Sequence, residues 1–374
     1  MRNRFALGAC NAHIQESSRR LAPRLMHGVF NASRAREGIL QRVGIRRILI
    51  CRNLHRLGDS ITLTPLLEEL AADFPRAEVD IISGYPAARA LYGSHANVRS
   101  IVLLPAHVAS HPLQTLRVLH SLRRRRYDLA IDPDLRSQSS RLLTLYAHAD
   151  RKLGFFGPKK SGALSHGVDI SGAPCHRRMT AVYLARKALG EDPGRRAYPL
   201  PNLRLSGAER ERGGQMLALI AGIDNSSVPP RCIGLYTNGT RDRQMGCDWW
   251  QRFLGALQPS ASACRLVEIL PPTGRSLLQD RYPSFCCPDA RELAAMLANL
   301  FLYVGADCGV THLAWAAGVP TVGLFKVTNA AEWGPWGGRN RSIDVRDTTP
   351  ERVTVDIARG LDSAPVGIDA KSIT

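Results

Sequence analysis

The sequence predicts an α/β protein made of two doubly wound, Rossmann-like domains facing each other across a cleft, and three features carry this. Apolar runs of strand length alternate with amphipathic segments of helix length, and strands that are apolar at nearly every position belong to a parallel sheet covered on both faces. The alternation occurs twice, on either side of EDPGRRAYPLPNLRLS, whose Pro, Gly and Arg content reads as a linker. At 374 residues the chain also exceeds the usual domain size of about 100–200 residues.

In chain order, residues 1–44 are polar, basic and weakly periodic, with LAPRLMHGVF their one apolar island, and they read as an extension outside the fold. RRILICR (46–52) is the first firm strand; it ends in the loop NLHRLGD, before the helical pattern ITLTPLLEELAADF (61–74). EVDIISG (78–84), SIVLLP (100–105), YDLAIDP (127–133) and RKLGF (151–155) read as further strands, separated by helices near 87–92, 112–126 and 137–148. A helix over 175–190 closes a first domain, 45–190, and the linker takes 191–205. In the second domain, 206–362, strands fall on CIGLYTNG (232–239), RLVEILP (265–271), SFCCP (284–288), LYVGAD (302–307), TVGLF (321–325) and SIDV (342–345). Helices lie near 207–222, 248–257, 290–299, 311–318 and 350–361, and 363–374 form a tail. Open sheets of this kind bind ligands outside the carboxyl ends of their strands.

A hydrophobic fraction of 44% and a charged fraction of 22% are those of a globular protein. The net charge of +18 is unevenly placed: residues 1–47 hold ten arginines against Glu16 and Glu37, and Arg123–Arg126 is a second block. Such a balance predicts an anionic partner, and an anionic membrane surface is the expected one. Nucleic acid is not, because 6% aromatic residues and no interleaved basic–aromatic strand offer no stacking platform. Nine scattered cysteines without paired C-x-x-C spacing predict reduced thiols rather than a zinc or redox site, and no secretory leader pattern opens the chain, so a cytoplasmic location is expected. Between Leu293 and Phe325 the only carboxylate is Asp307, but glycines and Pro320 cut this apolar stretch into helix, strand, helix and strand rather than a membrane span.

The stretch GADCGVTHLAWAAGVPT (305–321) places Asp, Cys, Gly, Thr and His where a buried strand turns into a helix. The first-turn amides of that helix, about Cys308, Gly309, Val310, Thr311 and His312, lack intrahelical partners and carry partial positive charge, so the turn suits an anion. Gly309 would let a diphosphate approach closely, Thr311 and His312 would add side-chain donors, and Asp307 would accept from sugar hydroxyls. The spacing equally fits simple capping with His312 a core histidine, and phosphate binding and capping both remain open at this level.

DCGVTHLAWAAGVPTVGLF, followed by TNAAEWGPWG (328–337), resembles the nucleotide-binding signature of the lipopolysaccharide heptosyltransferases, glycosyltransferase family 9. RILICRNLHRLGDSITLTPLLEELAADFPRAEVDII resembles the same family's opening strand, Gly-Asp loop and T-x-P-L-L helix, so two motifs in the right order extend the resemblance over roughly residues 45–362. The resemblance implies a GT-B fold, an acceptor held by the N-terminal domain and a nucleotide-sugar, ADP-heptose in the first instance, held by the C-terminal one. It implies an inverting transfer with no metal or other cofactor, Asp59 as general base, and Gly58 and Ser60 on the acceptor side. Taken alone, an Asp after Gly58 at a helix start is also an ordinary N-cap.

A cation for the leaving diphosphate is implied in TNGTRDRQMGCDWWQRFL (237–254): Arg243 stands where the family has lysine, Arg241 competes, and Thr237, Asn238, Gly239 and Thr240 would add donors. Three departures leave nucleotide and sugar open. Lys326-Val327 replaces the usual Gly-Pro, Asn329 replaces a frequent Asp, and PPTGRSLLQ offers no acidic residue for a ribose. Trp333 and Trp336 in the Gly-Pro loop fit either stacking on a sugar or adenine or, as the simpler reading, packing of the loop against the domain. The expected acceptor is a lipid-linked or phosphorylated glycan such as a lipopolysaccharide core, met at the inner face of the bacterial inner membrane. A different nucleotide-sugar, or a non-catalytic sugar- or nucleotide-binding protein of the same fold, are the alternatives.

Overall fold

The computed structural model describes residues 38–105, 110–157, 160, 164–223, 231–239 and 241–362. Residues 1–37 of the expected extension, the tail after 362 and Thr240 lie outside the described residues, whereas 38–44 correct the expectation of an extension outside the fold: Leu40 is buried in the core, its amide donates to the Ala188 carbonyl (2.7 Å), and Arg42 pairs with Asp73 and Glu191. Two six-stranded parallel sheets organise the chain. The first contains β1 (Arg47–Arg52), β2 (Glu78–Ser83), β3 (Val98–Leu103), β4 (Tyr127–Asp132), β5 (Ala149–Phe156) and β6 (His166–Asp169), in the order β3-β2-β1-β4-β5-β6. The second contains β7 (Arg231–Tyr236), β8 (Cys264–Ile269), β9 (Ser284–Phe285), β10 (Leu302–Ala306), β11 (Thr321–Phe325) and β12 (Arg341–Asp344), in the order β12-β11-β10-β7-β8-β9. Counted within each domain the two orders are the same, the one in which the winding reverses between the first and fourth strands and opens a crevice there.

The predicted helix over 61–74 is in fact two, α1 (Leu57–Ile61) and α2 (Thr64–Asp73). Pro65 has no N–H to give the Ile61 carbonyl, and the Thr64 hydroxyl donates to it instead (2.9 Å). The segment expected to be a loop around Gly58 and Asp59 is therefore helical. The other N-terminal helices are α3 (Ala88–Tyr92), α4 (Pro112–Arg124), α5 (Gln138–Tyr146) and α6 (Arg177–Ala188). Helices α4 and α5 pack on the sheet face formed by Leu49, Cys51, Ile82 and Ala130. On the other face, α2, α3 and α6 enclose Ile48, Ile50, Val79 and Ile81, and that core continues into the C-terminal domain through Leu217, Leu293 and Leu313.

The C-terminal helices are α7 (Gly207–Ala221), α8 (Cys247–Leu257), α9 (Ala290–Leu297), α10 (Gly309–Ala317), α11 (Ala330–Trp333) and α12 (Pro350–Asp362). Ser206 and Glu209 form a reciprocal capping box that fixes the start of α7. Gly318, at φ +89°, ends α10 in a left-handed conformation that a Cβ would strain.

Linker residues expected to be loose are held on both sides. The buried guanidinium of Arg186 pairs with Glu69 (2.6 Å) and donates to the carbonyls of Pro193, Arg196 and Ala197 (2.8, 2.7 and 3.0 Å). From α9, Arg291 donates to the carbonyls of Ala90, Leu203 and Arg204 (3.0, 2.9 and 3.0 Å). The Leu203 amide donates to the Ala316 carbonyl of α10 (3.2 Å). The Arg123–Arg126 block does not act as one charge: Arg125 pairs with Asp80, Arg126 with Asp150, and Arg123 stacks over Tyr146.

Candidate active site

The cleft between the sheets encloses about 590 Å³ and is lined by Arg56, Gly58 and Asp59 from the first domain and Arg243, Asp307, Gly309 and His312 from the second. Two glycines make this meeting possible. A Cβ on Gly58 would lie 2.7 Å from Cδ2 of His312, and one on Gly309 would lie 2.9 Å from Cβ of Leu57, so α1 and the start of α10 touch only because neither carries a side chain there.

Asp59 sits in the first turn of α1, behind the cap position held by Arg56. Its carboxylate is half-buried, lines the cleft, and has no hydrogen-bond or ion-pair partner among the described residues, so the N-cap alternative does not apply. Its backbone is held firmly. The carbonyl of Asp59 accepts from buried Arg52 (2.9 Å) and from Thr62 Oγ1 (2.7 Å), and Tyr92 donates to the next carbonyl, Ser60 O (2.8 Å). Ser60, expected on the acceptor side, is buried with its hydroxyl donating to Arg56 O (2.9 Å), inside its own turn. Only Gly58 of that pair borders the cleft.

Opposite, β10 ends at Ala306 and α10 begins at Gly309, with Cys308 at the cap and no side chain capping the first amides. The amides of Gly309, Val310 and Thr311 open a nine-residue helix whose first residue, Gly309, lines the cleft, while those of Val310 and Thr311 also face the Cys308 sulfur. Burial pushes the Cys308 thiol above its usual pKa, so it is neutral there. Thr311 corrects an expectation: its hydroxyl turns inward, donating to Ala306 O (2.6 Å) beside Tyr303 Oη (3.1 Å), and offers nothing to a ligand. His312 is also buried, against Gly58, with Nδ1 unpartnered among the described residues. Burial lowers its pKa, Asp307 and Asp59 oppose that shift, and Arg243 adds to it. Its role on this geometry is to join the halves with a neutral ring.

Asp307 is nearly closed off and accepts from Arg243 (3.1 Å) and from the Thr328 hydroxyl, both at Oδ2, which leaves Oδ1 without a protein partner among the described residues. Arg243 therefore lines the cleft as the ion-pair partner of Asp307. Arg241 opens the same short 3₁₀ turn, 241–243. Gly239 packs against it, since a Cβ would meet the Arg243 carbonyl carbon at 2.6 Å. Thr237 corrects another expectation, because it is fully buried and donates to Glu268 (3.2 Å), and Asn238 in turn donates to Thr237 (3.3 Å).

Sequence reasoning missed Glu268, a buried carboxylate under the end of β7 that also accepts from Ser276 (2.6 Å); a lone Glu inside the apolar run RLVEIL was its signal. It also missed Thr328, and its simpler reading of Trp333 was loop packing, whereas Trp333 lines the cleft edge-on to His312 (6.4 Å). Behind it, His176 Nε2 bonds to Gly334 O (2.9 Å), Arg177 pairs with Glu332 and stacks on Trp333 (5.4 Å), and Arg178 lies 3.8 Å over the Trp336 ring. Nothing in His176-Arg177-Arg178 marks it as this grip on the second domain.

Residues 289–361, which contain β10, α10, β11 and the loop with Trp333, match the family model of glycosyltransferase family 9 (heptosyltransferase). These residues lie within the C-terminal domain and make up about a fifth of the chain. A domain match of this kind supports a glycosyltransferase. No curated protein matches it by sequence. The whole chain resembles solved structures of the two-domain GT-B type. One is a family 9 glycosyl transferase from Veillonella parvula DSM 2008, at TM-score 0.66 and 15% identity over 88% of this chain and 92% of that one. Another is E. coli heptosyltransferase WaaC with ADP, at TM-score 0.64 and 17% identity over 84% and 99%. A third is E. coli ADP-heptose lps heptosyltransferase II, at 0.62 and 19% over 85% and 98%. At these identities they establish the fold alone.

Proposed function

We propose that this glycosyltransferase moves a sugar, with inversion, from a nucleoside-diphosphate sugar to a hydroxyl of a lipid-linked or phosphorylated glycan, and that donor and acceptor are ADP-heptose and a lipopolysaccharide core. One observation carries the reading: an unpartnered carboxylate from one domain and the start of α10 at Gly309 from the other border the same cleft. The E. coli WaaC structures contain ADP and ADP-2-deoxy-2-fluoro heptose, which supports an adenine nucleotide-sugar here.

In this scheme the acceptor hydroxyl gives its proton to Asp59 as its oxygen attacks the anomeric carbon. The bond from that carbon to the diphosphate breaks on the opposite face. The negative charge released settles on the amides of Gly309 and Val310 and on Arg243, which changes its partner from Asp307 to phosphate. Oδ1 of Asp307 is left to accept from a donor hydroxyl. These groups neutralise the leaving diphosphate without a metal. We place the reaction at the inner face of the bacterial inner membrane, where such acceptors are anchored; among the described residues no helix is long and apolar enough to cross a membrane.

Asp59→Asn keeps shape and removes the base. Transfer is expected to fall about a thousandfold in a product assay, while ADP binding by calorimetry is unchanged. Full activity in this variant would refute Asp59 as the base, and absence of transfer by the parent from every nucleotide-sugar tried would favour a binding protein. Thermal stabilisation across a panel of nucleotide-sugars identifies the donor.

A further inference from the structure

Helix α4, with the sequence PLQTLRVLHSLRR, buries Thr115, Val118 and Leu122 and turns the rest of its circumference to solvent. On that outer side Leu113 is 72% and Leu116 60% exposed, so two leucines one turn apart protrude beside each other. Arg117 and Arg124 share this side, and neither has a carboxylate partner among the described residues. Arg123, at the end of the helix, lies over the half-exposed ring of Tyr146 from α5, which extends the surface to a second helix. No Asp or Glu occurs anywhere between Asp80 and Asp128, a run that includes seven arginines. The surface is therefore apolar toward one end of α4, cationic toward the other, and lacks countercharge of its own.

The geometry points to α4 as a docking surface for an anionic lipid bilayer. Protruding leucines enter the acyl boundary while arginines beside them meet headgroup phosphates, the arrangement of an in-plane amphipathic helix. Charge complementarity selects this occupant over the others. A second copy would set one cationic face against another. The chain's own residues 1–37 carry seven arginines against Glu16 and Glu37, and they meet the same repulsion. Nucleic acid would satisfy the arginines but gains nothing from Leu113 and Leu116. The placement also suits the molecule, because α4 and α5 cover the sheet face opposite the one that joins the C-terminal domain. Docking there leaves that domain free above the membrane.

The test is co-sedimentation of the full chain with vesicles of phosphatidylcholine alone or containing phosphatidylglycerol. Leu113→Gln/Leu116→Gln and Arg117→Gln/Arg124→Gln are compared with the parent, and unchanged thermal midpoints establish that these exposed changes leave the fold intact. Partitioning onto phosphatidylglycerol vesicles is expected to fall about tenfold in the leucine pair and about twentyfold in the arginine pair, with little binding to phosphatidylcholine alone. Parental binding in both pairs would overturn the proposal and assign attachment to another part of the chain. Loss in the arginine pair only would overturn it in favour of a soluble polyanion. Concentration-dependent dimers of the parent that the leucine pair abolishes would overturn it in favour of self-association.

Discussion

The N-terminal sheet reverses its winding between β1 and β4 and the C-terminal sheet between β7 and β10, so each domain presents one crevice at its reversal, and the two crevices are furnished in opposite ways. In the first, the β4 side is filled. Asp132 is fully buried between Arg141 and Lys160 (both 2.8 Å), and Asp134 accepts from Ser140 (2.7 Å) beside Arg52 (3.5 Å). Only the β1 side, through α1, offers a group to the cleft, and that group is Asp59. In the second crevice the β10 side is left open, with the start of α10 at Gly309, and the β7 side supplies Arg243. One topology therefore yields a crevice filled by buried ion pairs and another that leaves the start of a helix open, and the second suits a diphosphate.

The comparison can be broken most forcefully at Asp132. Asp132→Ala strands two buried cations and is expected to cost about 3–5 kcal/mol in denaturant unfolding, while ADP affinity, measured in the folded fraction, is unchanged. A loss under about 1 kcal/mol would mean that paired charge does not close the first crevice.

Acid sharpens it next, at the seam joining the halves. Burial lowers the pKa of His176 to about 4, so the unfolded chain binds its proton first as the pH falls. Stability contributed by this group is full above about pH 6.5 and is lost toward pH 4, by up to roughly 3 kcal/mol. Burial shifts His312 in the same direction. His176→Gln is expected to flatten this part of the stability–pH curve in thermal unfolding; an unchanged curve would assign the acid loss to other groups.

The smallest effect is expected at the contact itself. Gly309→Ala pushes a Cβ against Leu57 and pries α1 from α10, so transfer should fall roughly ten- to a hundredfold with ADP affinity nearly kept, because the amides remain. Loss of ADP affinity in step with transfer would show instead that the glycine serves the nucleotide directly.

Much of this architecture is legible in the sequence because parallel strands covered on both faces are largely apolar, as β10 and β11 are throughout and β1, β2, β4 and β7 are over most of their central residues. Strand β6, HGVD, is short, polar and at an edge, so it carries no such signal. Helices α1 and α11, of five and four residues, are too short to show a period. At the site, Asp59, Arg243 and the α10 turn could be found from residue type and neighbours. The inward turns of Ser60, Thr237 and Thr311 could not, because a hydroxyl chooses between ligand and backbone carbonyl according to the packing around it. His176, Arg177 and Arg178 read as solvated charges until the tryptophans of the other domain are placed against them.

The bond from Leu203 to Ala316 fastens the connecting strap to the far end of the helix whose near end greets the donor. That point acts as a spine, and the lever from spine to reaction centre is one nine-residue helix, roughly 13 Å long. A rotation of only about five degrees about it swings Gly309 by roughly 1 Å, the distance over which attack geometry is gained or lost. A tilt of that size would shift the contact between Gly309 and Leu57 while leaving the shared core intact.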